Sequence, residues 1–200
     1  MKKAILTVGR SKLFLLTLAA VWVAIVAMGI VILEREEFTP VKTLPSVTAF
    51  PHDSAIPLAA DKPTLLLFAH PYCPCTRASL HDLDELLANI QNKVSVIMIF
   101  TIPDGITPGW KDGYLWKTAA TMPGLRVMTD RGGQEARRFG VKGSGHTLLY
   151  SPSGKLLFSG GITESRGHEG DNPGSTAIAS LVLHGHSSVT HTPVFGCSFF

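Results

Sequence analysis

Two hundred residues, 45% hydrophobic and 16% charged with a formal net charge of +3, suffice for one domain and an appendage. So small a charge leaves no electrostatic footprint for a nucleic acid, and none is expected as a partner. Three cysteines are too few and odd in number for a disulfide scaffold, so thiol chemistry rather than stapling is expected of them.

The apolar excess is local. Leu13 to Leu33 (LFLLTLAAVWVAIVAMGIVIL) carries no charge, and Thr17 is its one clearly polar residue. At about 1.5 Å per residue such a helix spans a hydrocarbon core of about 30 Å. Lys2, Lys3, Arg10 and Lys12 precede it, and Glu34, Arg35, Glu36 and Glu37 follow. The positive-inside bias therefore predicts a single-pass protein: 1–12 in the cytoplasm, 13–33 as the anchor, and the remainder periplasmic or otherwise extracytoplasmic. No A-x-A triplet closes the run, so an uncleaved signal-anchor is favoured over a signal peptide. Without the four leading basic residues and the net −2 of Glu34–Glu37, the exported part carries +1.

Residues 34–60 hold Pro40, Pro45, Pro51 and Pro57 with little periodicity. They read as a linker contributing an edge strand or short arm, or as an extension of the following domain. That domain is expected over 61–185. Thr64–His70 (TLLLFAH) reads as a strand buried on both faces. Thr76–Asn92 places Leu80, Leu83, Leu86, Leu87 and Ile90 at helical spacing, with Asp82, Asp84 and Glu85 on the opposite face. Val94–Ile102 is a second buried strand, closed by Pro103-Asp104-Gly105, and the order implies a right-handed parallel crossover.

Trp110–Thr121 is predicted as a helix, weakened by Gly113. Leu125–Asp130 reads as a strand and 132–141 as a short helix ending at Gly140. His146–Gly161 is a hairpin around Ser151-Pro152-Ser153-Gly154. A Gly-rich loop over 162–173 carries Glu164, Arg166, His168, Glu169 and Asp171, facing either the site or solvent. Ser175 is expected to cap a closing helix. Residues 186–200 form a tail without period.

The chemistry centres on Cys73-Pro74-Cys75, between the first strand and its helix. Pro74 suits a first helical turn, where a missing N–H costs nothing. Cys73 then falls at or near the N-cap, where orphan N–H groups and the helix dipole favour a thiolate. Cys73 is the expected nucleophile and Cys75 its resolving or buried partner. A disulfide between residues i and i+2 closes a small ring, which predicts a strained, labile couple. Cys197 becomes a possible resolving thiol if the tail folds back. His70 either tunes the site or only bonds the turn backbone, and Arg77 either holds an anion or is solvated. His184, His186 and His191 lack ligand-grade spacing. There is no G-x-S-x-G, phosphate loop or H-E-x-x-H.

FAHPYCPC, then DRGGQEARRFGV followed by HTLLYSPSGKLLFSGG, resembles the thioredoxin-like superfamily and its membrane-anchored TlpA- and ResA-like members. HPYCPCTRAS, GHTLLY, GGITESRGH and the terminal PVFGC are similar to the bacterial RedB-type group. The resemblance implies an α/β thioredoxin-like fold, a central mixed sheet flanked by helices, over Asp61 to Gly185 behind one transmembrane helix. It also implies cofactor-free exchange with protein thiols or disulfides, or with a redox partner at the membrane. Two departures stand out: the usual C-x-x-C is shortened to C-x-C, and His146 occupies the place of the family's cis-proline. The resemblance places His146 beside the reactive cysteine, as a group that tunes or shuttles its proton. The alternative is copper handling of the Sco type, with Cys73, Cys75 and His146 as ligands, since two thiolates and an imidazole suit Cu(I).

Overall fold

The computed structural model describes residues 2–43, 46–103, 105 and 108–200, so Pro45 of the proline-rich segment and Asp104 of the turn after the second strand lie outside the described residues. The chain divides into two compact units, the first ending at Thr39 and the second running Pro40–Phe200.

The first unit is helix α1 (Lys2–Glu37). Its stretch Lys12–Glu37 has mean hydropathy 2.7 and leaves its apolar side chains unburied, so it is long and apolar enough to cross a membrane. Thr17 Oγ1 donates to Phe14 O at 2.8 Å, which satisfies the run's polar side chain within the helix.

The second unit is built on a five-stranded mixed sheet in the order β3-β2-β1-β4-β5. Its strands are β1 (Thr64–Ala69), β2 (Ser95–Ile102), β3 (Leu125–Arg131), β4 (His146–Tyr150) and β5 (Leu156–Gly160). The first three run parallel, with Thr64 opposite Ser95 and Val96 opposite Leu125. β4 lies antiparallel to both β1 and β5. Every residue of β1 is buried, as expected of a strand covered on both faces. The period of two then divides the core. Leu65, Leu67, Val96, Met98, Phe100 and Leu149 meet helices α2 (Cys75–Ile90), α3 (Tyr114–Thr121) and α5 (Pro173–His184). Leu66, Phe68, Ile97, Ile99, Leu148 and Tyr150 face the short helix α4 (Gln134–Arg138) and its Phe139.

Helix α2 aims the cysteine turn. Leu80, Leu83, Leu86 and Ile90 are almost wholly buried along one stripe. At about 2 kcal/mol each, their burial outweighs the weak intrinsic stability of a helix this short. Asp82 departs from the expected solvent face. It is 2% exposed and accepts from Gly170 N at 2.8 Å and Asn172 Nδ2 at 3.5 Å, which pins the 162–173 loop to α2.

Two other expectations change in detail. The Trp110–Thr121 segment is broken at Gly113 into a 3₁₀ turn and α3, because glycine supplies an extended N-cap there. The cap of α5 is Asn172 rather than Ser175: Asn172 Oδ1 accepts from Ser175 N at 2.8 Å, and Pro173 fills the first turn. The proline-rich segment packs as an arm, since Phe50 N donates to Gly154 O at 2.7 Å and its ring stacks edgewise on Phe139 and Tyr150. Within the tail, Val194, Phe195 and Phe199 are all buried.

Candidate functional site

The site is the turn between β1 and α2. Its backbone is closed twice: Cys73 N donates to His70 O at 3.2 Å, and Thr76 N donates to Cys73 O at 3.0 Å. Arg77 N donates to Pro74 O at 3.1 Å in the same tight first turn. Cys73 therefore stands in the turn that opens α2, two residues before its first helical residue, and Pro74 occupies a position where no N–H is required.

Ser144, in the loop before β4, clamps this turn from the side. Its Oγ accepts from His70 N at 3.0 Å and lies 2.9 Å from Thr76 Oγ1. Its N–H donates to Cys197 O at 2.9 Å. One buried serine thus grips the residues on both sides of Cys73 and the backbone of Cys197. Sequence reading passed over Ser144 and Thr76. The only signal was the glycine-flanked 143–145 loop, and Gly145 adopts φ +86°, a left-handed conformation that suits glycine.

The three cysteines are free thiols that meet around Cys73, which is 1% exposed. Hydrogen bonds from Cys75 and Cys197 lower the Cys73 pKa to about 4, against a burial effect that raises it. Its partners respond in the opposite sense. The hydrogen bond to Cys73, then burial, pushes the Cys75 thiol far up. Burial, then the bond to Cys73, pushes Cys197 up to about 11. The arrangement is one central thiolate flanked by two proton-bearing thiols.

Arg166 reaches this group from the 162–173 loop, and its charge favours the thiolate form of both Cys75 and Cys197. A cleft of about 550 Å³ runs past Tyr72, Cys73, Cys75, Arg77, Tyr114 and Arg166. Arg77 is 70% exposed and lies 3.7 Å from Glu169, a surface pair worth little by itself.

The histidines divide. Burial lowers the His70 pKa, and the nearby Cys73 charge partly offsets it. His70 Nδ1 accepts from Tyr72 N at 3.1 Å, so the ring shapes the turn. His146 is fully buried, with Nε2 2.9 Å from Ser159 Oγ and 3.5 Å from Ser46 Oγ. Burial, then the nearby His191, lowers its pKa to about 4, so it is a neutral ring in a serine pair. Its register on β4 sets it on the sheet face of Leu148 and Tyr150, whereas α2 covers the other. Among the described residues, the ligand-type groups within 4.8 Å of one another are His81, Asp82 and Glu85, a set that includes neither the cysteines nor His146.

No protein-family profile matches the chain, and no curated protein does. Solved structures do. An uncharacterised conserved protein from Geobacillus kaustophilus superposes with TM-score 0.59 at 18% identity, covering 81% of this chain and 92% of that one. A hypothetical protein from Sinorhizobium meliloti gives 0.59 at 16% identity, over 81% and 94%. The N-terminal domain of PilB from Neisseria gonorrhoeae gives 0.45 at 22% identity, over 66% and 82%. With its five-stranded mixed sheet, flanking helices and cysteine turn at the start of α2, the second unit of this chain has a thioredoxin-like fold.

Proposed function

We propose that this protein is a thiol–disulfide oxidoreductase held at a membrane by α1, with its N-terminus in the cytoplasm and its thioredoxin-like unit on the extracytoplasmic side. The observation that carries the reading is Cys73: a buried sulfur in the turn that opens α2, beside the Cys75 and Cys197 thiols, whose hydrogen bonds lower its pKa. A thiolate at neutral pH is the reactive species in disulfide exchange. The orientation rests on Lys2, Lys3, Arg10 and Lys12 ahead of the apolar run.

In the exchange, Cys73 Sγ attacks one sulfur of a substrate disulfide R–S–S–R′. The Cys73–S–R bond forms, and R′S⁻ leaves and takes a proton. A second cysteine of the site then attacks Cys73 Sγ, expelling RS⁻ and closing an intrachain disulfide. The substrate gains two electrons and two protons: the protein gives up both electrons and the resolving thiol's proton, and solvent gives the other proton, because Cys73 enters as a thiolate. Substrates of this kind are protein thiols or disulfides, or a redox partner at the membrane.

The copper reading, with Cys73, Cys75 and His146 as ligands, draws less support. The imidazole is engaged with Ser159 and Ser46 on the sheet face away from α2.

The deciding experiment is a thiol-trapping mass titration of the full-length protein through a graded redox buffer, with bound metal quantified in the same preparation. The expected result is a two-electron transition in metal-free protein that disappears in Cys73→Ser. Cysteines protected until a chelator removes copper would favour the metal reading instead.

A further inference from the structure

The tail runs in extended form along the loop that clamps the cysteine turn. Gly143 and Ser198 form an antiparallel bridge, Ser144 N donates to Cys197 O at 2.9 Å, and Phe199 N donates to Lys142 O at 2.8 Å. The approach is tight enough to dictate sequence: a Cβ on Gly196 would lie 2.1 Å from Ser144 O. Further out, Val41 N donates to Val194 O at 2.8 Å, and Phe199 is buried in the core beside Phe139 and Tyr150. Cys197 is therefore held next to Cys73 by backbone bonds of the tail, through the same Ser144 whose hydroxyl grips His70 and Thr76.

We propose that Cys197, carried by this bridged tail, is the cysteine that resolves the mixed disulfide on Cys73. The inference rests on Cys73 being the nucleophile, as read above. Two physical features favour Cys197 over Cys75. Cys75 is the first residue of α2, its carbonyl accepting from Ser79 Oγ at 3.4 Å, so closing a Cys73–Cys75 ring means distorting a helix start fixed by the core. Cys197 lies on a segment outside the helix, within hydrogen-bond reach of Cys73. The second feature is the proton. The hydrogen bond to Cys73, then burial, holds it on Cys75; on Cys197 burial comes first and the bond to Cys73 second, and Arg166 supplies a positive charge beside both. Cys75 is then the hydrogen-bond donor that keeps Cys73 reactive.

The step balances. Cys73–S–S–R and Cys197–SH give Cys73–S–S–Cys197 and RSH, the Cys197 proton passing to the departing thiolate. No further oxidant is needed, because the substrate disulfide is the oxidant.

The test uses full-length protein in detergent, with dithiobis(nitrobenzoate) as the substrate disulfide and thionitrobenzoate release as the readout. In Cys75→Ser, about two equivalents should leave per chain. The second should leave at a rate independent of reagent concentration, and the product should carry a Cys73–Cys197 disulfide by peptide mass. In Cys75→Ser/Cys197→Ser, release should stop at about one equivalent, with a lasting aryl adduct on Cys73. If Cys75→Ser also stops at one adduct on Cys73, or takes up two separate adducts, Cys197 does not resolve and the proposal fails while the nucleophile stands. If the double variant releases nothing, the nucleophile assignment itself falls.

Discussion

The turn that carries Cys73 and the tail that carries Cys197 meet at one point, and they are held there by different means. The turn is local. Pro74, the hydrogen bonds from Thr76 and Arg77, and the buried leucine stripe of α2 all lie within twenty residues of Cys73. The tail has no helical or strand period of its own. It is placed by backbone bonds to Lys142 and Ser144, by the glycine contact at Gly196 and by the burial of Phe199. The comparison teaches that a reactive thiol and the larger of its two thiol donors can be built from contiguous residues, while the second donor comes from a segment more than a hundred residues away.

The sharpest way to break the comparison is to remove its shared point. Cys73→Ser should reduce disulfide exchange by the purified protein to the uncatalysed rate, because the remaining thiols carry their protons at neutral pH. Retention of exchange would mean that the tail thiol acts alone.

Next in size is the tail's anchoring. Phe199 is 4% exposed, so Phe199→Ala should cost about 3 kcal/mol in denaturant unfolding and leave Cys197 open to alkylation. Its neighbour Phe200 is 54% exposed, and Phe200→Ala should change stability by no more than about 0.5 kcal/mol. Equal effects from the two would show that the tail is not held through the core.

The electrostatic half of the comparison is tested by pH. In the folded protein one thiolate, that of Cys73, should persist by ultraviolet absorbance down to about pH 4, while unfolded protein should lose it near the ordinary thiol value. The sign follows from the donors: Cys75→Ala removes a hydrogen bond to the charged sulfur, so the Cys73 transition should move to higher pH. Cys197→Ala should move it the same way by less, in the order of the two effects. No movement in either variant would assign the thiolate to the helix start alone.

The smallest effect concerns the loop that brings Arg166 to the site. Asn172 caps α5 and also donates to Asp82, so Asn172→Ala should cost about 1 kcal/mol by thermal or denaturant unfolding. Cys73 should keep its titration in that variant.

Much of the frame was legible in the residues themselves. The apolar run of α1, the two buried strands, the leucine stripe of α2 and the hairpin turn at Ser151–Gly154 each have a period or a turn chemistry that contiguous residues determine. The same holds for Cys73 at a helix start, since Pro74 and the strand-to-helix change of period lie beside it. What the sequence could not settle was which distant groups surround that sulfur. His146 is one residue from the clamp loop, yet its strand register turns it to the face away from α2, where Ser159 and Ser46 take its nitrogen. Asp82 reads as solvent-facing until Gly170 and Asn172 close over it. Cys197 stands in a stretch with no pattern, and only backbone pairing with Lys142 and Ser144 brings it to Cys73. Periodicity is a property of neighbours along the chain, whereas proximity between such segments is decided by the packing of the whole fold.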